Sequence, residues 1–173
     1  MKHLLFFIFL FVISGCSSVE VKHYANENPR LKLEEYLNGT LDAYGIFQDR
    51  SGTIIKRFHC VLNATWKDRV GTLDERFEYS DGTKSTRVWT LTRVNESEYT
   101  GTAGDVIGEA HGEVSGNAFH WRYILDVESK GTHYHVNLDD WMYLMDSRVM
   151  LNRSSMSKYG FDLGQVTLAF VKR

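Results

Sequence analysis

Apolar and polar residues alternate with a period of two through most of this sequence, from about residue 41 almost to the C-terminus. Successive side chains of a β-strand point to opposite faces, so this period is typical of strands with one buried face. A clear example is segment 57–66, whose even-numbered residues are Phe58, Cys60, Leu62, Ala64 and Trp66. No stretch shows the longer period of an amphipathic helix, so the chain must fold mainly as half-buried strands.

Short turns separate the alternating segments. They share a glycine, and they are Ser51-Gly52, Asp81-Gly82, Gly116-Asn117 and Lys130-Gly131. Strands joined by such tight turns run antiparallel, and Asp-Gly in particular is a strong hairpin signal. With eight to ten strands of this kind, we predict an all-β fold, a single antiparallel up-and-down β-barrel of lipocalin-like (calycin) type, over residues 38–173.

Two other architectures share this pattern. A β-sandwich also buries one face of each strand, and a transmembrane barrel also alternates apolar and polar residues. The transmembrane barrel is disfavoured because the sequence shows no evident lipid-facing aromatic girdles and because the connections are short at both ends of the strands.

The N-terminus has the layout of a secretory signal peptide over residues 1–15. Lys2 provides a positive start, residues 4–13 are an unbroken apolar run, and Ser14 and Gly15 are small. Ten residues of helix are about 15 Å long, half of what a bilayer-spanning segment needs. We therefore interpret the run as the apolar core of a signal peptide and not as a stable membrane span.

The end of this segment, Ile-Ser-Gly-Cys at residues 13–16, resembles the lipobox of bacterial lipoproteins. The resemblance implies cleavage before Cys16 and a diacylglyceryl group on its thiol; the alternative is an ordinary signal peptide with a chance cysteine. In enteric-type lipoproteins Asp at the next position signals retention in the inner membrane, so Ser17 indicates the periplasmic face of the outer membrane. Residues 16–37 are then the lipidated cysteine and a polar tether.

The composition limits the kinds of molecule and metal that this chain is expected to bind. The formal net charge is −2 and no basic run is present, so nucleic acid is not an expected partner. With Cys16 lipidated, Cys60 has no cysteine to pair with, and its place in an apolar strand face predicts a small core residue. His133 and His135 share one strand face, but nothing completes a metal-ligand set, and we predict no metal, cofactor or catalytic residue.

One acidic residue interrupts an apolar face. Asp140 falls among Val136, Leu138 and Met142, where an unpaired charge would be costly to bury. The hypothesis is a polar group inside the barrel that binds a ligand head group, and the candidate ligand-binding residues are Arg87, Trp89, Arg122, Asp140, Trp141 and Arg153. The alternatives are a structural ion pair, or a β-bulge that turns Asp140 to solvent. Arg122 lies between two aromatic residues of opposite parity and could face outward.

Several segments resemble an uncharacterised family of proteobacterial lipoproteins, domain of unknown function 3833. The most telling is Asp-Asp-Trp-Met-Tyr-Leu-Met-Asp at residues 139–146, and others lie at residues 38–45 and 101–110. The resemblance covers essentially the whole mature domain, with Gly104 as one departure. It implies a lipoprotein and brings no established activity or catalytic residues with it.

Three hypotheses for function follow. The first is an envelope lipoprotein that binds or carries a lipid or other apolar small molecule inside the barrel. The second is an envelope enzyme that acts on lipid or glycan. The third is a structural or assembly protein with a filled core. The expected partners are the membrane, through the N-terminal lipid, and an apolar ligand; the sequence does not identify any protein partner.

Overall fold

The computed structural model describes residues 18–129 and 131–173 of the chain. A single 3₁₀ turn, Val21–Tyr24, and a one-turn helix α1, Leu33–Tyr36, precede ten strands. The strands are β1 Gly39–Asp49, β2 Ile54–Lys67, β3 Val70–Tyr79, β4 Lys84–Arg93, β5 Glu98–Ala103, β6 Val106–Ser115, β7 Ala118–Ser129, β8 Thr132–Leu144, β9 Val149–Lys158 and β10 Phe161–Lys172. No helix within the described residues is long and apolar enough to cross a membrane.

Each strand pairs antiparallel with its neighbours in sequence, and β1 also pairs with β10, which closes the barrel. The predicted antiparallel up-and-down barrel is therefore confirmed. Its ten strands exceed the eight of a typical lipocalin. A wider ring leaves more interior space than the side chains of a small barrel can fill.

One end of the barrel, which we call the base, carries the turns at residues 94–97 and 145–148 and is closed by α1. Leu33 is fully buried there, and the hydroxyl of Tyr36 donates to the carbonyls of Arg148 and Phe170, both at 3.1 Å. The indole nitrogen of Trp66 donates to the carbonyl of Leu37 at 2.6 Å. Apolar packing and satisfied hydrogen bonds thus hold α1 and Leu37 in the base, where they form a plug.

The C-terminal part of the predicted polar tether, residues 16–37, packs into the barrel and belongs to the folded domain. Leu31, Leu33, Tyr36 and Leu37 are all at least nine-tenths buried in the core, and Val21 is buried too. The polar residues around them suggested a loose segment, but these few apolar side chains find a surface to bury against at the base.

The opposite end, which we call the mouth, carries the turns at residues 50–53, 80–83 and 159–160. Inward side chains near it, including Phe47, Phe77 and Met156, are only half-buried, whereas most of those near the base are buried. Large apolar side chains also lie exposed around the mouth, and they are Ile54, Ile55, Tyr134, Tyr159, Phe161 and Leu163. The interior therefore opens to solvent at this end.

Two glycines of β6 act in different ways. Gly108 has φ +71° and lies where the pairing of β6 with β7 shifts register, so it forms a bulge. A Cβ at Gly112 would overlap the rings of Phe119 and Trp121. The small residues of this strand therefore serve both a bend and the packing of aromatic rings.

Replacing Gly116 by alanine should detach the N-terminal segment from the barrel. Gly116 has φ +57°, a Cβ there would collide with the carbonyl oxygen of Tyr24, and its own carbonyl accepts the Leu31 amide at 2.8 Å. We expect G116A to lower the free energy of unfolding by about 2 kcal/mol or more. Hydrogen exchange at the Leu31 amide should accelerate.

The matched control is G82A. Gly82 has a similar positive φ of +81°, but a Cβ there meets nothing within 4 Å. It carries the backbone strain without the collision, so Leu31 exchange should stay slow. Equal exchange rates at Leu31 in the two variants would contradict the docking.

Candidate ligand-binding cavity

A cavity of about 180 Å³ lies inside the barrel. Its walls are mainly apolar and aromatic, and they include Phe58, Phe77, Trp89, Trp121, Leu138 and Met142. The ring of Trp89 meets those of Trp121 and Tyr123 edge-on, with centroids 5.8 and 5.3 Å apart. Such contacts hold the rings in fixed orientations and give the wall a defined shape.

An ion pair is built into this apolar wall. Arg87 of β4 donates from Nε and Nη2 to both oxygens of Asp105, at 2.7 to 3.0 Å. Its Nη1 lies 3.8 Å from Oε2 of Glu75, which is directly opposite on β3. Burial alone would lower the pKa of Arg87, but these carboxylates outweigh burial and raise the pKa, so the guanidinium stays charged.

Glu75 is buried and poorly compensated. Only 9% of it is exposed, and Oε2 has no hydrogen-bond partner within the described chain. Burial raises the pKa of this carboxyl from 4.5 to about 7, against an opposing effect of Arg87. At neutral pH Glu75 is therefore poised between its neutral and charged forms.

Asp140 forms a second buried carboxyl site. Its Oδ1 accepts from Nδ2 of Asn152, and its Oδ2 accepts from the hydroxyl of Tyr123 at 3.5 Å. Burial raises the pKa of Asp140 to about 6, although both hydrogen bonds act to lower it. Ser154 pairs with Asp140 across β8 and β9, and its buried hydroxyl has no partner within the described chain.

Three of the six predicted ligand-binding residues face the cavity. Arg87, Trp89 and Asp140 line it, and Asp140 is only 6% exposed, so no bulge turns it to solvent. The structural ion pair does exist, but the partner of Arg87 is Asp105 and not Asp140.

The other three predicted residues lie on the outer wall, which corrects the prediction for a role in the cavity. Arg122 is exposed, and Arg153 donates to the side-chain oxygen of Gln165 at 3.0 Å. Trp141 stacks on His120 with centroids 4.0 Å apart. Each has the opposite parity to an inward neighbour on its own strand, so a regular strand turns it outward.

Five polar residues of the site are not among the six ligand-binding residues predicted from the sequence. They are Glu75, Asp105, Tyr123, Asn152 and Ser154. The alternation of inward and outward positions along β3 predicts that Glu75 faces inward, because it lies on the same face as Leu73 and Phe77. Asp105 gives no such signal, since it lies in a turn whose contact with Arg87 depends on how the barrel closes.

Other chemistry-bearing residues lie outside the site or take no part in it. Cys60 is buried in the core as predicted, and burial raises the pKa of its thiol to about 12. The described chain contains no cluster of three His, Cys, Asp or Glu side chains able to hold a metal; His133 instead contacts Asp126 at 2.9 Å. Cys16 and the predicted signal peptide lie outside the described residues.

The family model described as "Protein of unknown function (DUF3833)" matches residues 10–172, which include all ten strands. The chain belongs to this family. The resemblance to domain of unknown function 3833 is thereby confirmed over the whole barrel. No curated protein matches the sequence significantly.

Solved structures align with this DUF3833 protein. The S-type phycobiliprotein lyase CPES from Guillardia theta aligns with a TM-score of 0.60 at 8% identity, covering 83% of this chain and 94% of that one. A de novo designed fluorescence-activating β-barrel aligns with a TM-score of 0.46 at 11% identity, covering 83% and 99%. At 8% identity, the likeness to the lyase concerns the fold alone.

Proposed function

We propose that this DUF3833 protein is an envelope lipoprotein that binds an apolar small molecule inside its barrel. The observation that carries the proposal is the cavity itself, which is walled by aromatic and aliphatic side chains and contains a small polar cluster. Ligand sites in proteins commonly combine apolar walls with a few polar groups that orient the ligand. A protein with a purely structural role would gain nothing from buried, unpartnered polar atoms in a hollow core.

The size of the cavity sets the kind of ligand. Apolar cavities of about 150 Å³ accommodate a molecule the size of benzene. The space here, about 180 Å³ with an opening at the mouth, suits a ring system or a single short alkyl chain. A longer lipid tail would extend through the mouth, where exposed apolar side chains such as Tyr159 and Phe161 would contact it.

The N-terminal anchor sets how the barrel is oriented. Tyr24 packs against Trp141 and Tyr143 on the outer wall near the base. Cys16 is five residues before buried Val21, so lipid on Cys16 lies within about 18 Å of that point. The base then faces the outer membrane, and the mouth opens into the periplasm about 30 Å further out.

Replacing Cys16 by serine tests the anchor. We expect C16S to lose incorporation of a clickable fatty acid and to move from the membrane fraction to the soluble periplasmic fraction. The matched control is C60A, which removes the chain's other cysteine, a buried one, and should stay lipidated. A C16S protein that still carries fatty acid would rule out Cys16 as the anchor.

Filling the cavity tests the binding site. Ala43 lines the cavity and is 2% exposed, so A43L should place three extra carbons in the ligand's space. We expect about a tenfold or greater loss of affinity for the neutral apolar dye N-phenyl-1-naphthylamine, measured by fluorescence titration.

The control for that variant is A169L. Ala169 pairs with Tyr44 and Leu151, whose side chains are exposed on the outer wall. The added carbons there stay outside the cavity, and dye affinity should be that of the wild type. Equal affinities of A43L and the wild type would place the dye outside the barrel.

A further inference from the structure

The polar groups of the cavity are unequally divided between hydrogen-bond donors and acceptors. Arg87 is engaged by Asp105, and the hydroxyl of Tyr123 and the amide of Asn152 both donate to Asp140. The acceptor Oε2 of Glu75 and the hydroxyl of Ser154 are left over, both buried and without a partner in the described chain. A ligand that donates hydrogen bonds would satisfy what the protein leaves unsatisfied.

The charged groups of the cavity are also unequally divided, with more carboxyl groups than cations. Arg87 makes a bidentate contact with Asp105, and its Nη1 lies 3.8 Å from Glu75, so one guanidinium serves two carboxyl groups. The two further charged groups that line the cavity, Glu75 and Asp140, are both carboxyls. An anionic head group would approach an interior that is already negative, because Arg87 already has two carboxyl neighbours. At short range in a buried site that repulsion is strong.

We infer that the ligand's head group is a cationic ammonium, attached to an apolar body and seated between Glu75, Asp140 and Ser154. This inference rests on the proposed binding function and specifies the ligand class for the same cavity. An ammonium donates up to three hydrogen bonds, and its positive charge would balance the negative charge of the two carboxylates. The apolar walls receive the rest of the molecule.

The ionisation of the two carboxyls agrees with this assignment. Burial raises the pKa of Glu75 to about 7 and that of Asp140 to about 6, so both carry charge at pH 8. The charged neighbours are Arg87, which contacts Asp105 and lies 3.8 Å from Glu75, and Asp139, which is next to Asp140 and raises its pKa. The Tyr123 hydroxyl is neutral, because burial keeps its pKa well above the ordinary value. A bound cation would therefore compensate two charges that are costly to bury alone.

Three ligands with the same alkyl chain test the inference. Octylammonium, 1-octanol and octanoate differ only in the head group. Each can be made to compete with N-phenyl-1-naphthylamine at pH 8, the two ions below their micelle concentrations and octanol below its solubility limit. We expect octylammonium to bind at least tenfold more tightly than octanoate, with octanol between them. Octanoate binding as tightly as octylammonium would overturn the inference.

Carboxyl variants locate the effect. E75Q and D140N should each weaken octylammonium about tenfold and octanol by clearly less, because both ligands lose a charge-assisted hydrogen bond but only the ammonium also loses an ion pair. The control D139N removes the adjacent carboxylate, which is exposed on the outer wall. It should leave octylammonium affinity unchanged, and an equal loss in D139N would mean that the effect is general surface charge.

The outcomes separate this inference from the proposed function. If the dye binds and none of the three octyl compounds displaces it, the cavity stands and the ammonium assignment is wrong. If neither the dye nor any octyl compound binds, the proposed function itself fails. Urea unfolding of E75Q and D140N verifies that each variant is folded under the binding conditions, and octanol binding provides the same check on the cavity.

Discussion

Raising the pH from 5 to 8 should lower the free energy of unfolding of this protein by about 3 kcal/mol. Burial raises the pKa of Glu75 from 4.5 to about 7 and that of Asp140 from 3.8 to about 6. The folded state therefore holds protons that the unfolded chain has already released. The stabilisation is complete below about pH 4 and disappears as the pH rises through 6 to 7. Urea unfolding at a series of pH values measures the slope.

The E75Q variant should flatten much of this slope. Glutamine stays neutral at every pH, so at pH 8 we expect E75Q to be more stable than the wild type by about 2 kcal/mol. The control is E78Q on the same strand, since Glu78 is exposed and its pKa is lowered by Lys84. E78Q should keep the wild-type slope, and a wild-type protein equally stable at pH 5 and 8 would contradict the burial of Glu75.

Replacing Arg87 by methionine should cost about 3–4 kcal/mol of stability at pH 8. The variant leaves Glu75 and Asp105 without their cation, and removing one partner of a buried pair strands the other charge. The cost should be smaller at pH 5, where Glu75 takes up a proton. Chemical unfolding at the two pH values measures both costs.

Two further variants identify the cause of that loss. R76M removes an exposed arginine whose contact with Asp74 is 3.2 Å long, and such surface pairs contribute about 0–1 kcal/mol. The double variant E75L/R87M removes the stranded carboxyl, and it should recover most of the stability at pH 8. A double variant no more stable than R87M would show that the loss is one of packing and not of charge.

Much of the fold could be predicted because the alternation of residues in strands is strict. The inward positions of Cys60, Trp89 and Asp140 follow directly from parity. Arg122, Trp141 and Arg153 were selected by residue type, and their parity places them outside. The same alternation predicts that Glu75, between Leu73 and Phe77, faces inward and that the three outward residues do not line the cavity.

Other features depend on contacts that a linear pattern does not contain. The pairing of β1 with β10 joins the two ends of the barrel, and Asp105 reaches Arg87 only because β4, β5 and β6 curve around a common interior. The base plug of Leu33 and Tyr36 is too short for a helical period, so its role depends on the surface that it meets.

Methionine methyl groups report most directly on whether the barrel interior is a binding site. Met142 and Met156 line the cavity, Met150 is fully buried outside it, and Met145 is exposed. In a titration of methyl-¹³C-methionine protein with N-phenyl-1-naphthylamine, binding in the cavity predicts shifts at Met142 and Met156, with Met145 and Met150 nearly unchanged. Saturable dye binding that shifts Met145 alone, or leaves Met142 and Met156 in place, would contradict a ligand site inside the barrel.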